Sequence, residues 1–211
     1  MKIIAFLFLL VFLTGFERCT HDSSNPGICF QENILPIFVS NCTQSGCHNS
    51  QEKAGEYDFS TYEGILAGVS PKHPIQSEVY SNISGLSPTM PPSPYKKLSS
   101  RDVKYIKFWI NQGAPNSSNC MSCDSSKYSY KEKIQPILTA WCTGCHSQSN
   151  ASGGYDFSTY SSTMNKASNA AFLGALEHSP GFSSMPKNSS KLPDCSITAI
   201  EKWVKAGFPD N

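Results

Sequence analysis

Residues 134–146 read "IQPILTAWCTGCH", a short apolar segment that runs directly into two cysteines and a histidine. In Cys142-Thr-Gly-Cys145-His146 the two thiols stand three positions apart, so one helical turn places them on neighbouring sides. Thiols at this spacing reach the two vinyl groups of haem, and the histidine that follows faces the iron. A zinc site would need a second pair of ligands at recurrent spacing, and a thioredoxin-like disulfide a βαβ context. The sequence has neither pattern, so it predicts covalent haem on Cys142 and Cys145 with His146 as iron ligand.

The same segment occurs earlier in the chain with a different spacing. Residues 34–48 read "ILPIFVSNCTQSGCH", where four residues separate Cys42 from Cys47 and His48 follows. Five steps along a regular helix turn through roughly 500°, which would make the two thiols diverge. The insert is small and polar and contains glycine, so it can form a loop. A second haem on Cys42, Cys47 and His48 is our interpretation. A Cys42–Cys47 disulfide in a module without haem is the alternative, and whether Cys42 forms a thioether stays open.

Two further stretches are also written twice. The hexapeptide "YDFSTY" stands at 57–62 and at 155–160, and "KLSSRDVKYIKFWINQGAP" (97–115) corresponds to "KLPDCSITAIEKWVKAGFP" (191–209). Because the order of the stretches is kept, the chain is a tandem duplication. We place the first repeat at 28–117 and the second repeat at 118–211.

The sequence of each repeat predicts an all-α module with long irregular loops that wrap the haem. A short helix leads into the cysteines, a second begins near "YDFSTY", and a segment rich in Ser, Pro and Gly runs to a Met-Pro before a closing helix. The closing helices have an apolar stripe at helical spacing, a glycine stop and a polar N-cap. The stripes are Val103, Ile106, Trp109, Ile110 and Ile197, Ile200, Trp203, Val204; the stops are Gly113 and Gly207; the N-caps are Ser99 or Ser100, and Asp194.

Candidates for the second iron ligand precede the closing helices. Met90 in "SPTMPPSPYKKL" and Met185 in "GFSSMPKNSSKL" occupy matched positions in polar loops, stiffened by the prolines that follow. A lone methionine usually fills a core, but this pair predicts axial ligation. Histidine–methionine ligation raises the reduction potential and suits electron transfer.

Other side chains are weaker candidates for a place beside the haem. His178 stands close to Met185 in the sequence and is a candidate for contact with a haem propionate, with ligation of the iron as the less favoured alternative. Trp109 and Trp203 are predicted to pack in the closing helices, with contact to a haem edge as an addition. Tyr62 and Tyr160, from the repeated hexapeptide, are also candidates for a position beside the haem.

The amino-terminal residues predict export. Residues 1–19 have a positive start at Lys2 and a short apolar stretch, as in a signal peptide, and 20–27 resemble a flexible tether. Cys19 lies where a lipidated cysteine would lie, but Glu17 and Arg18 precede it in place of a small residue, so lipidation and ordinary cleavage both stay open. The expected location is the periplasm, or a membrane-anchored position facing it. Nine cysteines in an oxidising compartment should be paired in disulfides or bonded in another way, and not left as free thiols.

These residues together resemble the planctomycete-type cytochrome c domain, and the second repeat is similar to its relatives in Bacteroidetes. The resemblance runs from about residue 28 to the end. It implies two covalently bound haem c groups, with His48 and His146 as proximal ligands and Met90 and Met185 as distal ones. It also implies disulfides Cys123–Cys195 and Cys29–Cys120, with Cys120–Cys123 as an alternative.

The predicted function is that of an exported dihaem c-type cytochrome, an electron carrier rather than an enzyme. Its partners would be redox proteins, a donor and an acceptor that the sequence does not name. The net charge of +1 gives no reason to expect nucleic acid as a partner. The alternatives are a dihaem peroxidase-like enzyme and a haem-based sensory or structural module.

Overall fold

The computed structural model describes residues 27–118 and 126–211. Helices dominate the described chain, which confirms the predicted all-α class. Each repeat contributes helices in the same order along the chain. In the first repeat they are α1 (Leu35–Cys42), α2 (Tyr62–Ala67), α3 (Glu78–Ile83) and α4 (Ser100–Asn111), and in the second α5 (Gln135–Trp141), α6 (Tyr160–Ala167), α7 (Ala170–Leu176) and α8 (Asp194–Lys205). The two strands of the described residues are β1 (His146–Ser147) and β2 (Asn150–Ala151).

A wide helical turn opens each repeat and continues into the helix that carries the first cysteine. The turns are π-helical, at Phe30–Ile34 and Tyr130–Ile134. Pro36 and Pro136 stand in the first turns of α1 and α5, where a missing N–H leaves no helical hydrogen bond unmade. The chain therefore enters both motifs in the same way.

Three aromatic side chains form the centre of each repeat, one from the opening turn, one from the second helix and one from the closing helix. Both tryptophans are fully buried. Edge-to-face and tilted ring pairs of this kind stabilise a small core beyond their buried area. Ring centroids lie 5.0 Å apart for Phe30–Tyr62 and 5.4 Å for Phe30–Trp109, and 5.0 Å for Tyr130–Tyr160 and 5.6 Å for Tyr130–Trp203.

The closing helices end at the predicted glycines. Gly113 has φ +93° and Gly207 has φ +82°, the left-handed conformation that glycine adopts without steric cost. The chain then turns back, so that Trp109 Nε1 donates to the carbonyl of Pro115 and Trp203 Nε1 to that of Pro209, each at 3.0 Å. The end of each repeat is thereby fixed to its own core.

Three local predictions need correction. Ser99 caps α4, as expected, by accepting from the Asp102 N–H at 3.1 Å, but Asp194 is the first residue of α8 and not its N-cap, because extended Pro193 precedes it. The segment before each Met-Pro was predicted to be irregular, yet it contains α3 and α7. A two-stranded hairpin, β1–β2, follows the second motif, where no strand was expected.

Helices α1 and α5 pack against each other and bring the two motifs together. Ser40 Oγ donates to the carbonyl of Ala140, and Gln44 Nε2 donates to the carbonyl of Gly144 at 3.2 Å. A Cβ built on Gly144 would lie 2.0 Å from the Ser40 carbonyl oxygen, so the two backbones approach too closely for any side chain there. The first motif is therefore in direct contact with the second.

Several predictions fall outside the described residues. These are the export signal, the tether up to residue 26, lipidation at Cys19, and the predicted disulfide partners Cys120 and Cys123. The repeat boundaries also stay predictions. Among the helices of the described chain, none has the length and apolar character needed to cross a membrane.

Candidate haem-attachment sites

The second motif forms one compact turn at the end of α5. The Cys142 N–H donates to the Leu138 carbonyl at 2.8 Å, which continues the helix into the first cysteine. The carbonyl of Cys142 then accepts from the N–H groups of Cys145, at 3.1 Å, and His146, at 2.8 Å. This double acceptor holds both thiols and the imidazole on one turn, as the spacing predicted.

A backbone carbonyl selects the tautomer of His146. Its Nδ1 lies 2.9 Å from the carbonyl oxygen of Ser152, and because that oxygen only accepts, Nδ1 carries the proton. Nε2 is then left unprotonated, the form that binds a metal. Desolvation lowers the pKa of His146, against the opposing effect of the Ser152 hydrogen bond, and so favours the neutral ring.

The first motif closes in the same way despite its longer spacing. The His48 N–H donates to the Cys42 carbonyl at 2.9 Å, which matches the His146–Cys142 bond. Ser45 and Gly46 loop out between the cysteines, with Gly46 at φ +81°. The predicted loop is thus present, and it leaves the step from Cys47 to His48 unchanged.

One carboxylate holds that loop. Glu52 accepts from the N–H of Gly46 at 2.6 Å and from the hydroxyl of Ser45 at 3.4 Å, and it also accepts from the amide of Asn49. These hydrogen bonds, from Asn49 first and Gly46 second, lower the pKa of Glu52. Nothing in the spacing of the motif pointed to Glu52.

One nitrogen of the His48 ring lacks a hydrogen-bond partner among the described residues. This atom, Nδ1, is buried, while the ring lies 4.6 Å from that of Phe59. A buried polar atom without a partner carries an appreciable free-energy penalty. Iron bound at Nε2, the nitrogen that the second motif leaves unprotonated, would not satisfy this atom. The fit of the first motif to a haem rests instead on its two thiols and on the His48–Cys42 backbone bond, which matches the His146–Cys142 bond.

The four cysteines of the two motifs are free thiols. Burial raises the pKa of Cys42 and of Cys142 to about 12, and burial also raises the pKa of Cys47 and Cys145. The thiols are therefore neutral at physiological pH. The alternative Cys42–Cys47 disulfide is not formed in the structure, and all four sulfurs remain for attachment of a haem.

Cys29 and Cys195 are, in contrast, in disulfides. The Phe30 N–H donates to Ser117 Oγ at 3.0 Å and the Gln31 N–H to the Ser117 carbonyl at 3.1 Å, so the chain returns to Cys29 shortly before Cys120. The pairings Cys29–Cys120 and Cys123–Cys195 themselves stay predictions.

The methionine loops occupy matched places in the two repeats. The Met90 N–H donates to the carbonyl of Asn82, in α3, at 3.0 Å, and the Met185 N–H donates to that of Ala175, in α7, at 2.9 Å. Met185 is half-buried against the core, and Met90 is 38 % exposed. The two unpredicted helices thus provide the anchor points of both loops.

A cavity of about 1920 Å³ runs along both motifs. In the second repeat its lining includes Cys142, Cys145, His146 and Met185. In the first repeat it includes the chain neighbours of the predicted site residues, among them Thr43, Ser45 and Pro91. The predicted site residues of the first repeat itself, Cys42, Cys47, His48 and Met90, are not among the lining residues. The cavity therefore brings together the predicted site of the second repeat, but not that of the first.

The remaining candidates have other contacts. His178 Nε2 lies 3.1 Å from the carbonyl oxygen of Met185, so this side chain contacts the methionine loop. The hydroxyl of Tyr62 donates to the Ala114 carbonyl at 2.9 Å and that of Tyr160 to the Phe208 carbonyl at 2.6 Å. These tyrosines, like Trp109 and Trp203, hold the ends of the closing helices against the core.

Residues 45–94 match the model of a known family, which is described as Planctomycete cytochrome C. The match begins inside the first motif and contains Cys47, His48 and Met90. No curated protein and no solved structure matches the chain.

Proposed function

Residues 45–94 match the model of the Planctomycete cytochrome C family, and on that premise we propose that this chain is an exported dihaem c-type cytochrome. Its role would be to transfer single electrons between redox partner proteins. A cytochrome c domain is a haem-binding electron-transfer module. The number of haems, the export and the partners are the parts that we propose.

The observation that carries the proposal is the common closure of the two motifs. In both repeats the histidine N–H donates to the carbonyl of the first cysteine, at 2.9 Å for His48 and 2.8 Å for His146. The first motif keeps this bond despite its altered spacing, although its Cys47 N–H donates to the carbonyl of Gln44 and not to that of Cys42. Two motifs that share this closure support two haems.

Each residue type would have a distinct task in such a site. The thiols of Cys42, Cys47, Cys142 and Cys145 would hold the haems covalently through their vinyl groups. His48 and His146 would hold the iron through an imidazole nitrogen, and Met90 and Met185 through a thioether sulfur. Haem, when bound, supplies reversible one-electron chemistry, and a methionine sulfur favours its ferrous state.

Intact mass combined with a pyridine haemochrome assay tests the number of haems. We expect the denatured protein to retain two haems by mass, one on each repeat. A mass with a single haem would contradict the proposal. Digestion and mass analysis of the peptide with residues 34–48 then shows whether Cys42 forms its thioether.

The peroxidase-like alternative draws on one observation, the exposure of Met90. If this exposed methionine did not bind the iron, one haem would be open to peroxide. A high-spin component in the absorption or resonance spectrum of the ferric protein would favour this function, and two low-spin haems favour the electron carrier.

Export and membrane attachment are tested separately. Fractionation of the source cells and sequencing of the mature amino terminus should place the protein outside the cytoplasm with residues 1–18 or 1–19 removed. Incorporation of labelled fatty acid, abolished by Cys19→Ser, would establish lipidation, and a free amino terminus beyond Cys19 would exclude it.

A further inference from the structure

We propose that Lys97 and His178 are positioning residues for the two axial methionines, each serving a different repeat. This inference rests on the proposed function, because it concerns the methionine ligation of the haems. The backbone N–H of each methionine is anchored identically, as described for α3 and α7. The side chains that complete the anchoring are different in kind and come from different places in the two repeats.

Lys97 holds the first loop from both sides of its methionine. Its ammonium group donates to the carbonyl of Thr89 at 3.1 Å and also to the carbonyl of Pro91. Thr89 and Pro91 flank Met90 directly, so one side chain restrains the backbone before and after the ligand. An ammonium group has three donors and can make both bonds at once.

The corresponding lysine of the second repeat is engaged elsewhere. Lys191 occupies the place of Lys97 in the repeated "KL" sequence, but its ammonium pairs with the carboxylate of Asp194 at 3.2 Å. Asp194 stands where the first repeat has Ser100, which offers no such charge. The carboxylate at this position thus gives Lys191 a partner that the first repeat does not offer to Lys97.

His178 takes over the anchoring in the second repeat. Its Nε2 donates to the carbonyl of Met185 at 3.1 Å, so both backbone polar groups of this methionine are bound. The first repeat has Gly85 in this place, the second residue after α3 as His178 is the second after α7. Glycine has no side chain that could reach the loop.

The backbone conformation of His178 gives separate support for a role of its side chain. His178 has φ +56° and Gly85 has φ +91°, a region that glycine enters freely and other residues enter at a steric cost. A histidine in that conformation is consistent with a side-chain role that offsets the cost. Reverting it to glycine should relieve the backbone while it removes the hydrogen bond.

Four variants of the haem-loaded full chain test the proposal, with the far-red sulfur-to-iron absorption band of the ferric protein as readout. Lys97→Ala should lose about half of the band, because one of two equivalent methionine bonds is released. Lys97→Arg keeps a charged donor and should retain most of the band. Lys191→Ala, the matched control, should leave it unchanged. His178→Gly should lose the other half, without a fall in melting temperature.

The outcomes separate this inference from the proposed function. A parent protein with two haems by mass but no far-red band would overturn methionine ligation itself. A normal band in the parent that survives both Lys97→Ala and His178→Gly would overturn the anchoring roles alone. Equal loss in Lys97→Ala and Lys191→Ala would show a general charge effect and also reject them. Should Lys97→Ala yield no haem-loaded protein, Lys97→Gln, which keeps most of the length of the side chain, replaces it with the same expected loss.

Discussion

Single side chains hold the lengthened first motif in shape. Ser45 and Gly46 are extra relative to the second repeat, and an unsupported polar loop would sample many conformations at an entropic cost to folding. Glu52 restrains this loop by accepting from Gly46, Ser45 and Asn49. Hydrogen bonds to an ionised acceptor are stronger than those between neutral groups. The ionisation of Glu52 therefore contributes to the geometry around Cys47.

Glu52 should make the stability of the protein sensitive to acid. Because its pKa is lowered in the fold, mainly by the Asn49 and Gly46 hydrogen bonds and further by the nearby charge of Lys187, the folded state favours the carboxylate. Its contribution is complete above the unfolded pKa of about 4.3 and is lost as the pH falls through the folded value. We expect Glu52→Gln to lower the melting temperature at pH 7 and to flatten its decline below about pH 4.3.

Melting curves from pH 7 to pH 3 check this expectation. Glu63→Gln, on the exposed face of α2, is the control for the loss of a surface charge. Parallel curves for the parent and Glu52→Gln would show that the carboxylate does not support the loop in its ionised form.

At the scale of elements, the second and closing helices of each repeat are joined by one tyrosine. Tyr62 at the start of α2 donates to the carbonyl of Ala114 beyond α4, and Tyr160 at the start of α6 donates to that of Phe208 beyond α8. Each hydroxyl thus satisfies a carbonyl in the turn that follows the closing helix. The final tyrosine of "YDFSTY" thus makes the same contact within each of the two repeats.

Removal of either hydroxyl should destabilise its repeat without affecting a haem. Tyr62→Phe and Tyr160→Phe should each lower the free energy of unfolding by about 0.5–1.5 kcal/mol, the usual net contribution of a hydrogen bond. Urea titration followed by circular dichroism measures this. Tyr80→Phe on α3 is the control, since its hydroxyl makes no hydrogen bond to the described residues. A shift of the haem spectrum in either variant would instead place the tyrosine beside the cofactor.

The elements with strong local signals were the ones that could be predicted. The closing helices α4 and α8 have a full apolar stripe and a glycine stop, and both appear where expected. Helices α3 and α7 were missed because each is short and lies among Ser, Pro and Gly residues that are typical of loops. The same limit applies to the site. The spacing of cysteine and histidine is local, whereas the roles of Ser152, Glu52 and Lys97 depend on contacts that only the folded loops create.

At the scale of the whole molecule, the contact between α1 and α5 determines how the two motifs lie relative to each other. Gly144 belongs to the second motif, and by spacing alone it is one of two unconstrained positions between the cysteines. In the fold its missing side chain admits the carbonyl of Ser40, while its own carbonyl accepts from Gln44. The thiol of Cys47 is close enough to contribute, after burial, to the raised pKa of Cys145. Two haems attached here would be neighbours, as direct electron exchange between them requires.

Gly144→Ala tests this arrangement, because the added Cβ would lie 2.0 Å from the Ser40 carbonyl oxygen. The clash is with backbone, so a rotamer change cannot relieve it, and α1 and α5 must move apart. We expect the free energy of unfolding to fall by about 1–3 kcal/mol, as for other overpacked sites, while the mass still shows haem on both repeats. Gly27→Ala is the control, since a Cβ there meets nothing within 4 Å. Denaturant unfolding provides the measurement, and a Gly144→Ala protein as stable as the control would mean that the two motifs are not held together by this contact.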